Sequence, residues 1–422
     1  MTIKIFSPGC LLLYVGCFLS IQTAAQIDSS NQSSFQQQDI KDWMFEKGWI
    51  KNKSKKKNLL FIVPVIGSNP ATGFFFGGVA SYTFKFKPVD RYLSLLNGTA
   101  TYSTKEQVNL FMRNNVFVNN GKFLLNGDWR FVIFSENTYG LGTNSPVEAS
   151  PKPAIALFGY DVNDDPTVQS LRYHQLRFYQ TVSFNLHDHL FLGTGLQYDN
   201  FFSIEDLFLN ENDFVESYHS GYSKQFGFNN NEYVLSGIAI NSTYESRDNQ
   251  VNAYKGLYAN LSYRFNTTWL GSSQNSQVLN AELKTYFHFK KRDVLTFWLW
   301  GQFVTNGYAP YLALPAIGYD ARQSSGRAYA FGRYRGENIF YAETEFRFPI
   351  SKRTGIIGGV IFLNVTTTSD QQNNVKLFRY NSPGGGAGLR IMIDKATRTN
   401  LQLDAATGKK SSGFYLGAGE VF

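Results

Sequence analysis

From Leu59 to the last residue, apolar and polar side chains alternate with a period of two, as in strands with one face in oil and one in water. Between Phe74 and Phe86 one face carries Phe74, Phe76, Ala80, Tyr82, Phe84 and Phe86, and the other carries Ser81, Thr83 and Lys85. Leu176, Phe178, Val182, Phe184 and Leu186 likewise oppose Gln175, Arg177, Tyr179, Thr181, Ser183 and Asn185. The pattern returns with Leu279, Ala281, Leu283, Thr285, Phe287 and Phe289 against Asn280, Glu282, Lys284, Tyr286 and His288. Apolar outside with charged inside predicts an all-β protein, an antiparallel transmembrane β-barrel with a polar lumen.

Sixteen strands are expected, near 59–67, 72–87, 92–104, 106–118, 121–135, 171–186, 190–206, 232–246, 254–267, 276–290, 293–306, 339–349, 356–368, 385–393, 399–407 and 413–422. Connector lengths support the count, because an even barrel with both ends periplasmic alternates tight inner turns with long outer loops. Tight turns fall at Pro88-Val89-Asp90, Asn119-Asn120-Gly121, His187-Asp188-His189, Lys290-Lys291-Arg292, Ser351-Lys352-Arg353 and Lys395-Ala396-Thr397. Long connectors fall near 136–170, 207–231, 307–338 and 369–384, all on the outer side.

The start of the chain reads differently. Lys4, the apolar run from Leu11 to Val15 and Thr23-Ala24-Ala25 predict a secretory signal over 1–25, with export from the cytoplasm. Both cysteines, Cys10 and Cys17, fall inside it; Tyr14-Val15-Gly16 fits a lipobox poorly, which argues against lipidation at Cys17. Residues 26–58 form a short periplasmic segment, in which Ile40, Trp43, Met44 and Lys47 lie at helical spacing before Gly48. That spacing predicts a short N-terminal amphipathic helix, at the membrane interface or against the periplasmic mouth, with a frayed linker as the alternative. Lys51, Lys53, Lys55, Lys56 and Lys57 follow it. Residues 59–422 form the barrel.

Composition narrows the class. Charged residues make up 17% and aromatics 16%, with 38 Phe, 25 Tyr and 37 Gly but 4 Met, which suits strands with aromatic girdles. After the leader no apolar run reaches the ~18 residues a transmembrane helix needs. The net charge of +8 does not point to nucleic acid, since the basic residues sit in short turns without a nucleic-acid-binding motif. No cofactor or metal is expected. His187 and His189 flank Asp188, but a His-x-His pair lacks a third zinc ligand. No serine is paired with His174 on its lipid-type face, so no catalytic residue is assigned and an enzyme is not expected.

Several motifs, in order along the chain, carry a family resemblance. They are Pro64-Val65-Ile66-Gly67-Ser68-Asn69-Pro70-Ala71-Thr72-Gly73-Phe74, then Tyr244-Glu245-Ser246-Arg247-Asp248-Asn249, then Gly326-Arg327-Ala328-Tyr329 with Gly332-Arg333-Tyr334-Arg335-Gly336, then Ala342 to Ile350, and the terminal Phe422. Together they resemble the BamA/TamA family of outer-membrane assembly factors and translocons, the bacterial surface antigen superfamily. The resemblance implies that Arg327, Ala328, Tyr329, Arg333 and Arg335 belong to a loop inserted into the lumen, and that Phe422 is an assembly signal. It departs at Ala328, where glycine is usual and alanine disfavours a tight bend. Residues 26–58 are too few for POTRA domains, so the likeness is to reduced members that lack them.

If the loop enters the lumen, period two places Tyr341, Glu343, Glu345 and Arg347 inward, and Asp404 as well. Glu345 and Asp404 are the expected partners of Arg327, and Glu343 is expected to hydrate the lumen. A second candidate is the lateral seam between the first and last strands, marked by Pro64, Gly417, Gly419 and Phe422: proline donates nothing to a ladder and glycine weakens pairing. The expected role is insertion, assembly or translocation of envelope proteins in the bacterial outer membrane, or scaffolding of such a machine, without covalent chemistry. Its partners would be outer-membrane lipid and other envelope proteins. The alternative is a channel or a surface-exposed binding barrel of the porin or adhesin kind, contacting ligands through loops 136–170 and 207–231.

Overall fold

The computed structural model describes residues 37–49, 58–69, 73–87, 89–144, 168–208, 216–289 and 293–422. The expected leader, the lysines of 51–57, Pro70 to Thr72, Pro88, the turn at Lys290 to Arg292 and parts of the connectors 136–170 and 207–231 lie outside these residues.

Sixteen strands form one antiparallel sheet in strict sequence order. They are β1 (Leu59–Asn69), β2 (Gly73–Phe84), β3 (Ser94–Ser103), β4 (Val108–Val118), β5 (Phe123–Thr138), β6 (Gln169–His187), β7 (Leu190–Asp206) and β8 (Tyr233–Glu245). The series continues with β9 (Gly256–Asn266), β10 (Ser276–His288), β11 (Val294–Gly307), β12 (Asn338–Pro349), β13 (Ile357–Thr368), β14 (Ser382–Asp394), β15 (Thr399–Gly408) and β16 (Ser411–Ala418). Each pairs with its sequence neighbour, and no ladder among the described residues joins β16 to β1.

The alternation read from the chain becomes two faces. On β11, Thr296, Trp298 and Trp300 point inward and are buried, while Leu299 points outward and is exposed. Outward Leu196, Ile240, Leu261, Ile361, Leu363 and Leu416 are also exposed, which suits an acyl environment. Short turns gather at one end. The β4–β5 turn is Asn119-Asn120-Gly121 with φ of 53°, 56° and 82°; asparagine tolerates this left-handed region, and a Cβ on Gly121 would lie 2.9 Å from the Tyr92 ring.

Apolar clusters pack inside the sheet at both of its ends. At the short-turn end Tyr92, Phe117, Leu124 and Phe191 form one cluster, with the Tyr92 and Phe117 rings stacked at 4.4 Å. At the long-loop end Tyr173, Phe201, Tyr222, Tyr233, Tyr311 and Leu312 form an apolar cap. Part of the cap is helix α2 (Tyr218–Phe226), which alternation did not predict. Its termini are legible in retrospect: Ser217 caps the first turn and Gly227 ends it at φ 73°. Ahead of the sheet, α1 (Ile40–Glu46) occupies the expected position.

The chain end corrects an expectation. A strand running to the last residue was expected, but β16 stops at Ala418; Gly419, at φ 97°, turns Glu420, Val421 and Phe422 away from the ladder. Phe422 is 1% exposed and lies 5.3 Å from the Trp298 ring, inside the sheet. Continued in phase with outward Phe414 and Leu416, the ladder would set the Glu420 carboxylate in the acyl region, whereas the inward turn gives it Arg390 and Asn400.

Candidate functional site

The 308–337 connector folds inward as a hairpin-like excursion. Ile317 and Gly336 N–H groups donate to Tyr334 and Pro315 carbonyls at 2.9 and 3.0 Å, and Gly332 N–H returns to Ile317 at 3.0 Å. Its tip is ordered by Asp320, whose carboxylate accepts the N–H groups of Ser324 and Ser325 at 3.0 and 2.7 Å. Short polar side chains that accept backbone donors in this way substitute for regular structure in a buried loop.

Beyond this turn Arg327 reaches the wall. Its guanidinium donates to Asp404 on β15 at 2.9 Å, to Glu345 on β12 at 2.6 Å, and to Glu343. The Phe362 ring from β13 lies 3.5 Å beneath it. Glu343 and Glu345 share a face because they are two residues apart on one strand. Arg327 therefore has three carboxylate acceptors, and Glu343, read from sequence as lumen hydration, is one of them. The backbone is fixed too: Asn364 donates to the Arg327 carbonyl at 2.9 Å, and the Ala328 N–H donates to the Tyr415 hydroxyl at 2.8 Å.

Ala328 itself has φ 97°. The bend that alanine disfavours is present, and its cost is carried by the contacts around it. Tyr329 donates to the Pro383 carbonyl and accepts the Lys409 N–H at 3.0 Å; burial pushes its phenol up to about 12. Arg333 lies over the rings of Tyr139 and Tyr334 at 4.8 and 5.0 Å.

A second pin holds the root of the loop. Arg335, fully buried, donates to the Tyr311 carbonyl at 2.9 Å, the Tyr319 hydroxyl at 2.8 Å and the Glu136 carboxylate on β5. Glu136 also accepts from Tyr173 and Tyr319, each at 2.8 Å. The loop is thus tied to β5 on one side of the lumen and to β12 and β15 on another, so the sheet wraps around it.

A sequence profile described as the Omp85 superfamily domain matches residues 96–422. The chain belongs to the Omp85 superfamily. Among solved structures it is similar to BamA from Haemophilus ducreyi lacking POTRA domains 1–3, at 12% identity and a TM-score of 0.53, covering 87% of this chain and 70% of that one. CdiB from Acinetobacter baumannii aligns at 13% identity and a TM-score of 0.48, over 85% of this chain and 59% of that one. No curated protein matches. The outer-membrane β-barrel fold of the Omp85 superfamily is thereby the fold of this chain.

In this Omp85 barrel the Arg327 cage extends to the chain end. Arg347 donates to Glu345 at 2.8 Å and to the Phe422 carbonyl at 2.9 Å; Arg390 bonds Asp404, and donates to Glu420 at 2.7 Å. Asn400 donates to Glu420 at 2.6 Å. Three buried guanidiniums, Arg327, Arg347 and Arg390, face four buried carboxylates, Glu343, Glu345, Asp404 and Glu420. Such a network tolerates the loss of a member poorly, since each removal strands a buried charge.

The seam candidates are dispersed. Pro64 lies on β1 opposite Gly78 of β2, Gly417 on β16 opposite Gln402 of β15, and Gly419 just past the strand. Phe422 is in the lumen, so it is corrected from a seam residue to a lumen residue. The histidines of the β6–β7 turn serve the turn end: His189 bonds Arg91 at 2.7 Å and the Glu245 carbonyl at 2.7 Å, and His187 is exposed. Among the described residues no group of three or more His, Cys, Asp or Glu is arranged to hold a metal.

Sequence reasoning missed Glu136, Arg390, Glu420 and Tyr415. Glu136 is in phase with inward Asp128 and Arg130, so its direction was readable. Its meeting with Arg335, 199 residues away, was not.

Proposed function

We propose that this chain acts in the bacterial outer membrane in the insertion, assembly or translocation of other envelope proteins, or scaffolds such a machine, by non-covalent means. The observation that carries the reading is the lumen loop, held at Arg327 by three carboxylates and at Arg335 by Glu136. A loop fixed across the lumen narrows any steady water-filled path, which favours this reading over the competing channel reading. The second support is the weakness of the terminal strands. Pro64 gives β1 a position without a donor, and Gly417 leaves β16 without a side chain opposite Gln402. An edge opened there offers main-chain groups on which an incoming strand is templated.

Two measurements test this. Single-channel recording should find the intact protein silent and a variant lacking residues 318–331 conducting; a steady open pore in the intact protein overturns the reading. A disulfide joining β1 to β16 should abolish client insertion in proteoliposomes while the barrel stays folded. Undiminished insertion would remove the seam from the mechanism.

A further inference from the structure

The connection from β8 to β9, residues 246–255, is at the short-turn end but is not a tight turn. It folds on itself through two side chains that accept backbone donors. The Asp248 carboxylate takes the Tyr254 and Lys255 N–H groups at 2.9 and 3.2 Å, and the Asn249 side-chain oxygen takes those of Val251 and Asn252 at 2.8 and 2.9 Å. Its base is pinned to the ladder: the Ser246 N–H donates to the Leu257 carbonyl at 2.9 Å, and the Leu257 N–H donates to the Ser246 hydroxyl at 3.0 Å. The segment is one compact body on a narrow base.

That body reaches strands far from its own. Arg398 in the β14–β15 turn, six strands on, donates to Asp248 at 2.6 Å and lies 4.2 Å over the Tyr254 ring. Asn249 donates to the Thr397 carbonyl in the same turn at 3.3 Å. From the β2–β3 turn, six strands back, the Leu93 N–H donates to the Gln250 side chain at 3.1 Å. Asn252 accepts from Arg347 of β12 at 3.4 Å, and Ala253 packs on Tyr286 and Val294 of β10 and β11. Turns so far apart around a curved sheet meet only across its mouth. The amide side chains of an ordinary turn stand in water, whereas Asn249, Gln250 and Asn252 are buried, and each bonds an element outside the segment. The lumen loop and the chain end meet the segment from within. Arg322 reaches the Gln250 and Glu420 carbonyls, each at 3.5 Å, and Ser324 donates to the Val421 carbonyl at 3.3 Å.

From this convergence we infer that residues 246–255 are an inner gate, a strut laid across the short-turn mouth that parts the lumen from the periplasm. It swings out on its Ser246–Leu257 base before a polypeptide segment passes between the two. Opening begins at Arg398, where 28% and 18% of the paired side chains are exposed and solvent weakens the attraction. The inference deepens the proposed function and rests on it for what passes; the barrier itself rests on the contacts of the strut. Loss of the loop tip removes one of its holds, so the loopless variant is also loosened at this end.

Thiol access tests the gate in the full chain, with Cys10 and Cys17 replaced by serine. Thr296→Cys is a small change on the inward face of β11, fully buried and one inward position beyond Val294, on which the strut packs. A charged, water-soluble methanethiosulfonate should modify it far more slowly than Asp188→Cys in an exposed turn. Arg398→Asn suits that residue's left-handed φ of 58° and is too short to reach Asp248. Combined with Gln250→Ala, it should raise the rate at 296 several-fold and leave the rate at 188 unchanged. Equal rates at 296 and 188 in the parent chain overturn the gate, as does a rate at 296 that the double variant fails to raise. Should the double variant lose its strand signal in circular dichroism, Asp248→Asn replaces it: the amide oxygen still caps the turn, the ion pair is gone, and the rate at 296 must again rise. Client insertion is read separately in proteoliposomes. A cross-link from Asn249→Cys to Thr397→Cys should stop insertion that the reduced form supports, and undiminished insertion in the linked form overturns the gate. No insertion by the parent chain, with its thiol at 296 protected, refutes the proposed function and leaves the barrier standing.

Discussion

The guanidinium of Arg327 and the carboxylate of Asp404 meet at 2.9 Å across 77 residues of sequence. Asp404 sits on β15, the neighbour of the last strand, and shares its other oxygen with Arg390, which holds Glu420 in the inward-turned chain end. The loop tip, the penultimate strand and the tail are therefore one network. The network reaches Glu420, two residues from Ala418, where β16 ends.

Arg327→Ala leaves buried Glu343 without a counter-charge and takes one of their cations from Glu345 and Asp404, which keep Arg347 and Arg390. The expected loss is roughly 3–5 kcal/mol of loop anchoring, by analogy with other broken buried pairs. Hydrogen exchange of the Ala328 and Tyr329 amides should rise, and brief conducting events should appear in planar bilayers. Unchanged protection of both amides would show that the cage does not hold the loop.

Ala328→Gly should tighten the loop. Alanine at φ 97° bears strain that glycine lacks, and relief of about 1 kcal/mol outweighs the larger unfolded-state entropy of glycine. Slower proteolysis within 318–331 is the readout. A bulky Ala328→Val, whose branched side chain tolerates positive φ worst, should act in the opposite direction.

Arg335→Lys tests the second pin. Lysine keeps the charge but cannot serve the Tyr311 carbonyl, the Tyr319 hydroxyl and Glu136 with one planar fork. Loss of about 1.5–3 kcal/mol is expected at the loop root, with the Arg327 cage unaffected. Proteolysis at 308–317 without change at 326–329 would separate the two pins; simultaneous release would show that they act as a single unit.

Acidity should tighten the outer rim. Glu337 is buried where the loop rejoins β12, and burial raises its pKa above the ordinary carboxylate value despite donors from Ser369 at 3.0 Å and the Gln371 N–H. A raised value means that the folded form holds its proton longer than the unfolded one. The contribution is complete below the unfolded pKa and is lost as pH rises through the folded one. Protection of the Gln371 amide, corrected for intrinsic exchange, should fall over that interval. Glu337→Gln, which cannot ionise, should flatten the profile; a slope that survives the substitution assigns the effect to another group.

What the chain determined by itself was local. Strand count, sidedness of turns and the inward direction of Glu343, Glu345, Arg347 and Asp404 follow from a period of two and from hairpins that pair each strand with its sequence neighbour, so no distant contact was needed to read them. The start of α1 is equally local, written in Asp39 and Asp42. Which inward charges meet was decided only by the tertiary structure. Glu136 reaches Arg335 and Asp404 reaches Arg327 because a curved sheet brings its separate strands around one loop. Phe422 meets Trp298, 124 positions earlier, because Glu420 turns the chain end inward to Arg390 and Asn400, a pairing that only the folded lumen assembles. Alternation specifies the face on which a side chain stands, and the curvature of the sheet specifies what stands opposite it.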